Sequence, residues 1–194
     1  VNTEEFWDIV ESARTGDKPF YEALVDRLAV GPEQAILEFE YRFDQVTDAV
    51  YRWDVWAAAY LIGGGCSDDG FMDFQAGLVA LGRDWFEKAA RSPDDLADHP
   101  AVIEAAAGSG SGSGSRGDSA IFYEEVGAAG NVAYERLTGA GADAYEEAWD
   151  RYQDGREDEE EEPDMGEEFD FDDADQMRKR LPRLSALFLS PPAL

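Results

Sequence analysis

"WDVWAAAYLIGGGCSDDGFMDFQAGLVALGRDW", residues Trp53 to Trp85, decides the fold class of this chain. Before the three glycines, Trp53, Trp56, Ala57 and Tyr60 fall at offsets of 0, 3, 4 and 7; beyond them Phe71, Phe74, Leu78, Leu81 and Trp85 step by 3, 4, 3 and 4. Both spacings put the apolar residues on one face of an α-helix. Between them, Gly63 to Gly65 suit a left-handed helix end, and Ser67, Asp68 or Asp69 suits the N-cap of the next helix, where negative charge meets a partly positive terminus. A helix needs one cap, and three candidates stand in a row. A carboxylate left over beside Trp53, Trp56, Tyr60 and Phe71 would make an amphipathic pocket for a cationic or hydrogen-bonding group. The candidate pocket is therefore Trp53, Trp56, Tyr60, Cys66, Asp68, Asp69, Phe71 and Asp73, joined by Tyr123 and Glu124 from a later segment.

Helical spacing continues on both sides. Asn2 and Glu5 form a capping box for a helix burying Phe6, Ile9, Val10 and Ala13. Pro19 and Pro32 each stand where a helix can begin without its missing N–H being felt. The first opens a helix burying Phe20, Ala23, Leu24 and Leu28, the second one burying Ile36, Phe39, Phe43 and Val46. Gly77, on the Phe71–Trp85 seam, leaves room for another helix to approach. "SPDDLADHP" predicts a single turn capped by Ser92 and closed by Pro100. Further on, one helix carries Phe122, Val126, Ala129, Ala133 and Leu137, with Gly127 and Gly130 allowing close contact, and another carries Tyr145, Ala148, Trp149 and Tyr152. No stretch alternates with a period of two. The expectation is an all-α single helical domain of about seven helices, spanning 1–153.

Two segments depart from this pattern. Residues 107–119 have the Gly-Ser composition of a flexible linker loop, natural or engineered, and include the tripeptide Arg116-Gly117-Asp118, for which an adhesive role is not expected beside such a linker. Residues 154–176, "DGREDEEEEPDMGEEFDFDDADQ", are an acidic low-complexity segment expected to be disordered. A basic and apolar segment, 177–194, follows with Arg178, Lys179, Arg180 and Arg183 ahead of "LSALFL"; it either docks on the body or reaches for a partner.

Composition bounds the function. The apolar share of 44% is enough to build a core, so the chain as a whole is not disordered. Forty-four acidic against 16 basic side chains give a net charge of -28, which repels nucleic-acid phosphates and anionic lipid and favours basic partners. No apolar run is long enough to span a membrane, and the N-terminus lacks the basic-then-apolar order of a signal peptide. A lone cysteine forms no internal disulfide, which points to a reducing, cytoplasmic setting.

The run "YRWDVWAAAYLIGGGCSDDGFMDFQAGLVALGRDWFEKAARSPDDLAD", with "FWDIVESAR" before it and "FYEEV" after it, resembles the bacterial domain-of-unknown-function family numbered 4240 over roughly residues 4–150. The resemblance implies a discrete bacterial domain and carries no catalytic assignment. Its most distinctive part is "GGCSDDGF" to "FEKA"; the Gly-Ser linker departs from it and the acidic tail lies outside it.

Chemistry-bearing residues are few. Cys66, His99 and Asp68 or Asp69 supply the residue types of a thiol hydrolase, but no cysteine-protease motif surrounds the thiol. The carboxylates beside Cys66 should also raise its pKa, making it a packing residue. Asp68, Asp69 and Asp73 lack the alternate spacing and closing glutamate of a calcium loop, zinc would want further Cys or His ligands, and "GGGCSDDG" lacks the lysine of a phosphate loop. No metal or cofactor is expected. The reading is a cytoplasmic binding or protein-interaction domain for a basic protein or peptide, with no direct nucleic-acid or membrane binding and an open oligomeric state. Its alternatives are an enzyme with a pocket at the Gly63–Phe74 loop, which the residues favour less, and an acidic nucleic-acid mimic.

Overall fold

A computed structural model describes residues 1–108, 121–154 and 163–191. In chain order the helices are α1 (Thr3–Arg14), α2 (Phe20–Leu28), α3 (Glu33–Asp48), α4 (Trp53–Gly63), α5 (Asp68–Ala80), α6 (Arg83–Arg91), a 3-10 turn (Pro93–Asp98), α7 (Pro100–Gly108), α8 (Glu124–Gly127), α9 (Ala129–Thr138), α10 (Ala142–Asp154), α11 (Ala174–Arg180) and α12 (Pro182–Phe188). No strand occurs among the described residues, so the fold class is all-α. About seven helices were expected; several of the observed ones are short turns that periodicity merges with their neighbours.

The chain divides into two compact units, each assembled from two separate stretches, where the sequence suggested one domain over 1–153. The first unit holds Val1–Asp48 and Glu124–Glu162. Its opening helix carries the expected capping box: the Asn2 side chain accepts from the Glu5 N–H at 3.0 Å and the Glu5 carboxylate accepts from the Asn2 N–H at 2.8 Å. The apolar stripe of α1 then buries Phe6 and Val10, and Phe6 stacks on Phe39 of α3 with ring centroids 4.9 Å apart. Against α2 and α3 lies α9, burying Ala129 and Ala133. Leu137, expected on that buried face, is an exposed residue near the end of α9.

The second unit holds Ala49–Tyr123 and Pro163–Leu194. Its core is α4 and α5, with Val55, Ala58, Ile62, Phe71, Phe74 and Leu78 fully buried. The neighbour that exploits Gly77 is the backbone of Ile121 rather than a helix: a Cβ added at Gly77 would lie 1.7 Å from the Ile121 carbonyl oxygen. The Tyr123 N–H donates to the Asp73 carbonyl at 3.0 Å, so residues 121–123 lie against α5. That breaks the expected single helix through Phe122 into α8 and α9, and Phe122 instead packs its ring 5.3 Å from Phe74. Ser92 precedes the 3-10 turn without a side-chain cap.

The C-terminal stretch departs most from expectation. Residues 109–120, 155–162 and 192–194, which include nearly all of the linker and the Arg116-Gly117-Asp118 tripeptide, lie outside the described residues. From Pro163 onward, however, the segment expected to be disordered belongs to the second unit. Phe169, Met177, Leu181 and Leu184 are buried there, and α12 lies against the 3-10 turn and α4. Phe169 is concealed because it stands among carboxylates, where no window looks hydrophobic; Met177, Leu181 and Leu184 belong to the basic and apolar segment that follows.

Candidate functional site

The turn that links α4 to α5 is built by local rules. Gly64 ends α4 in the left-handed region, with φ 71° and ψ 35°, and its N–H returns to the Tyr60 carbonyl. Gly65, at φ 126°, donates to the same oxygen at 2.9 Å. The cap of α5 is Ser67, whose Oγ accepts from the Gly70 N–H at 3.1 Å. Asp68 and Asp69 occupy the first turn of α5, exposed, where their charge favours the helix N-terminus.

Beneath the turn lies a stack of three near-parallel rings. Fully buried Phe71 faces Trp56 at 4.8 Å and 9°, and Trp56 faces Trp53 at 5.6 Å and 10°. The Trp56 indole N–H donates to the Cys66 carbonyl at 3.2 Å. Cys66 is itself half-buried, its Sγ 3.4 Å from the Ser67 carbonyl oxygen. Burial, with the Asp73 carboxylate adding to it, pushes the Cys66 thiol up to about 12. His99 is engaged elsewhere: its Nδ1 accepts from the Ala101 N–H at 3.2 Å, and its ring meets Trp85 edge-on at 4.7 Å. The thiolate a hydrolase would need is thus disfavoured, and the imidazole caps α7.

The second unit opens a cleft of about 610 Å³ at the other end of the ring stack. Trp53 and Tyr60 of α4 line it on one side, and Glu168, Phe169, Asp170, Phe171 and Asp172 line it on the other. Phe171 is the hub of the far wall, with ring centroids 5.5 Å from Tyr60, 6.1 Å from Trp53 and 5.2 Å from Phe169. A local turn presents it, as the Asp170 carboxylate accepts from the Asp172 N–H at 2.9 Å. The Tyr60 hydroxyl donates to the Asp172 carboxylate, and that bond raises the phenol pKa, keeping Tyr60 a neutral donor. Just outside the lining, the Arg180 guanidinium lies 4.3 Å from the Phe169 ring centroid and pairs with Glu167 at 2.8 Å.

Of the ten residues the sequence singled out, Trp53 and Tyr60 line the cleft, and Trp56 and Phe71 continue the stack away from it. Cys66, Asp68, Asp69, Asp73 and Tyr123 build or flank the α4–α5 turn and are not among the lining residues. Glu124 is exposed at the start of α8 in the first unit. Residues 168–172 escaped the sequence reading because they sit in the acidic stretch. The signal available was the pair Phe169 and Phe171, two aromatics among carboxylates.

A second group of ionisable residues, also missed, lies in the first unit. The Glu40 carboxyl sits against the α9 backbone, where a Cβ added at Gly130 would lie 2.0 Å from its Oε2 and 3.5 Å from the Tyr145 hydroxyl. Burial, with the Asp44 charge adding to it, raises Glu40 to about 8; burial and Asp48 raise Asp44 to about 6. Tyr145 is pushed up by burial and by both carboxylates.

Among the described residues, no group of three or more His, Cys, Asp or Glu side chains converges as metal ligands, and no helix is long and apolar enough to cross a membrane. No curated protein and no solved structure matched the chain. The family model described as "Protein of unknown function (DUF4240)" matches residues 1–136, and the chain belongs to that family.

Proposed function

We propose that this DUF4240 member is an interaction module that engages a basic protein or peptide. The observation that carries the reading is the cleft of the second unit, whose lining offers four aromatic rings and three carboxylates and no cationic side chain. Such a surface attracts cations both by charge and by the negative faces of its rings, and the net charge of -28 draws a basic partner toward it from a distance. The turn at Gly63–Phe74 supports the enzyme alternative less, since its thiol is held protonated and its carboxylates serve a helix terminus. Calorimetric titration of the full chain with a basic peptide and an acidic peptide of equal length tests the proposal. Saturable binding of the basic peptide alone, weakening as salt rises, is expected. Absence of binding to the basic peptide at low salt would overturn it.

A further inference from the structure

The cleft has a composition that distinguishes among cations. Three features of its walls bear on the choice. The first is the ring stack: Phe71 and Trp56 lie 9° from parallel, Trp56 and Trp53 10°, and Trp53, the last member, lines the cleft. A planar group laid on Trp53 would extend the stack by one layer. The second is the placement of acid. Glu168, Asp170 and Asp172 line the cleft without converging in the way a metal ion requires, so their charge suits a cation that is itself spread out. The third is a precedent within the same wall. Arg180 lays its guanidinium 4.3 Å from the centroid of Phe169, a lining ring, while pairing with Glu167 at 2.8 Å.

From these we infer that the cleft receives an arginine side chain from the partner, its guanidinium stacked on Trp53 and its N–H groups directed to Glu168 and Asp172. The inference rests on the reading of the chain as a module for basic partners and adds the residue type that the partner presents. Guanidinium is flat, weakly hydrated and carries donors in a fork that matches carboxylates; a lysine ammonium is compact and strongly hydrated. Aromatic walls therefore favour arginine, whereas charge alone would not separate the two. Tyr60 fixes one acceptor in place, because its hydroxyl holds Asp172 beside the cleft and leaves the second carboxylate oxygen to the ligand.

The test uses the full chain and two probes, capped tetra-arginine and capped tetra-lysine, titrated at fixed salt with tryptophan fluorescence and calorimetry as readouts. The arginine peptide should bind about tenfold more tightly than the lysine peptide, a difference in line with one desolvated stacking contact. Trp53→Ala should remove the preference. Because Trp53 also supports Trp56, a second variant, Glu168→Gln with Asp172→Asn, removes the charge of both proposed acceptors while Asn keeps an oxygen for the Tyr60 hydroxyl; it leaves the stack intact and should weaken the arginine peptide while circular dichroism and melting stay unchanged. Exposed Asp143 of α10 serves as a control, and Asp143→Asn should change neither affinity. Equal binding of both peptides, insensitive to Trp53 and to the double variant, would overturn the arginine inference and leave the basic-partner reading standing. Binding of neither peptide would overturn both.

Discussion

The carboxylate of Asp94, in the 3-10 turn, accepts hydrogen bonds from the backbone N–H of Leu184 at 2.9 Å and of Arg183 at 3.0 Å, capping a helix some ninety residues further along the chain. Pro182 starts α12, and its own N-cap residue, Leu181, has no side chain able to accept. Asp94 supplies the missing acceptor from outside and is buried in doing so. Arg183 strengthens the clasp by pairing with Asp95 at 3.1 Å and with Asp98. Asp94→Ala removes a buried, charged cap and should lower stability by about 1–3 kcal/mol in urea unfolding. Asp94→Asn keeps an acceptor and should cost less. Equal stability of all three proteins would show that α12 does not depend on this clasp.

Removal of the C-terminal stretch gives a larger effect. A chain ending at Asp154 loses Phe169, Met177, Leu181 and Leu184 from the core of the second unit, each a buried side chain of the kind that contributes about 1.5–3 kcal/mol. The truncated protein should lose a cooperative melting transition or melt far lower than the full chain. A melting curve unchanged by truncation would return the stretch to the status its composition suggested.

Gly77 and Gly127 form a contrasting pair. At Gly77 an added methyl meets the Ile121 carbonyl at 1.7 Å, a backbone atom that can move only if residues 121–123 leave α5; at Gly127 nothing lies within 4 Å. Gly77→Ala should destabilise by about 1–3 kcal/mol, as overpacking of a buried site does. Gly127→Ala should be neutral or slightly stabilising. Thermal melts of the two variants decide the point, and a neutral Gly77→Ala would count against the docking of Ile121.

How much of this was legible follows from how each feature is encoded. The Asn2–Glu5 capping box, the glycine end of α4 and the Phe71, Phe74 and Leu78 face of α5 are written in adjacent residues, and the structure has each of them; the seam expected to run on to Trp85 stops where α5 ends at Ala80, and Trp85 belongs to α6 beyond Gly82. Gly77 was legible as a point of close approach, but what approaches was not, because a backbone segment leaves no apolar periodicity of its own. The cleft was half legible: Trp53 and Tyr60 belong to a strong helical pattern, whereas Phe169 and Phe171 sit in a run whose charge outweighs its two rings in any local average. Asp94 and Glu40 carried no signal, since their roles depend on a remote helix terminus and on a remote glycine.

The Glu40 group makes stability depend on pH. Glu40 and Asp44 are harder to ionise in the folded chain than in the unfolded one, so the folded state holds extra protons from the ordinary carboxyl range up to about pH 8. The stability these groups contribute should therefore be fully present below about pH 4, fall as pH rises from there to about 8, and level off above it. Tyr145, also raised, adds a further fall once pH passes the ordinary tyrosine range near 10. Glu40→Gln should flatten the first fall and gain about 1–3 kcal/mol over the parent at pH 8. Parallel melting profiles for the two proteins across pH 5 to 8 would contradict it.

Cys66 should behave as an inert packing residue. With its thiol pushed up to about 12, only a trace is thiolate at neutral pH, and iodoacetamide should label the folded protein far more slowly than the urea-unfolded one. Cys66→Ser should keep the fold and the binding of basic peptides. Rapid labelling that abolishes binding would assign the thiol a role in the site.

The central claim is that the acidic C-terminal stretch folds back to complete an aromatic cleft for a basic partner. Amide and indole chemical shifts of the isotopically labelled full chain, followed during titration with capped tetra-arginine, test it most directly. The account requires the Trp53 indole and the amides of residues 168–172 to shift together and saturate at one affinity, while Asp68, Asp69 and Glu124 stay in place. Small shifts spread over the acidic surface, without saturation and without Trp53, would contradict it.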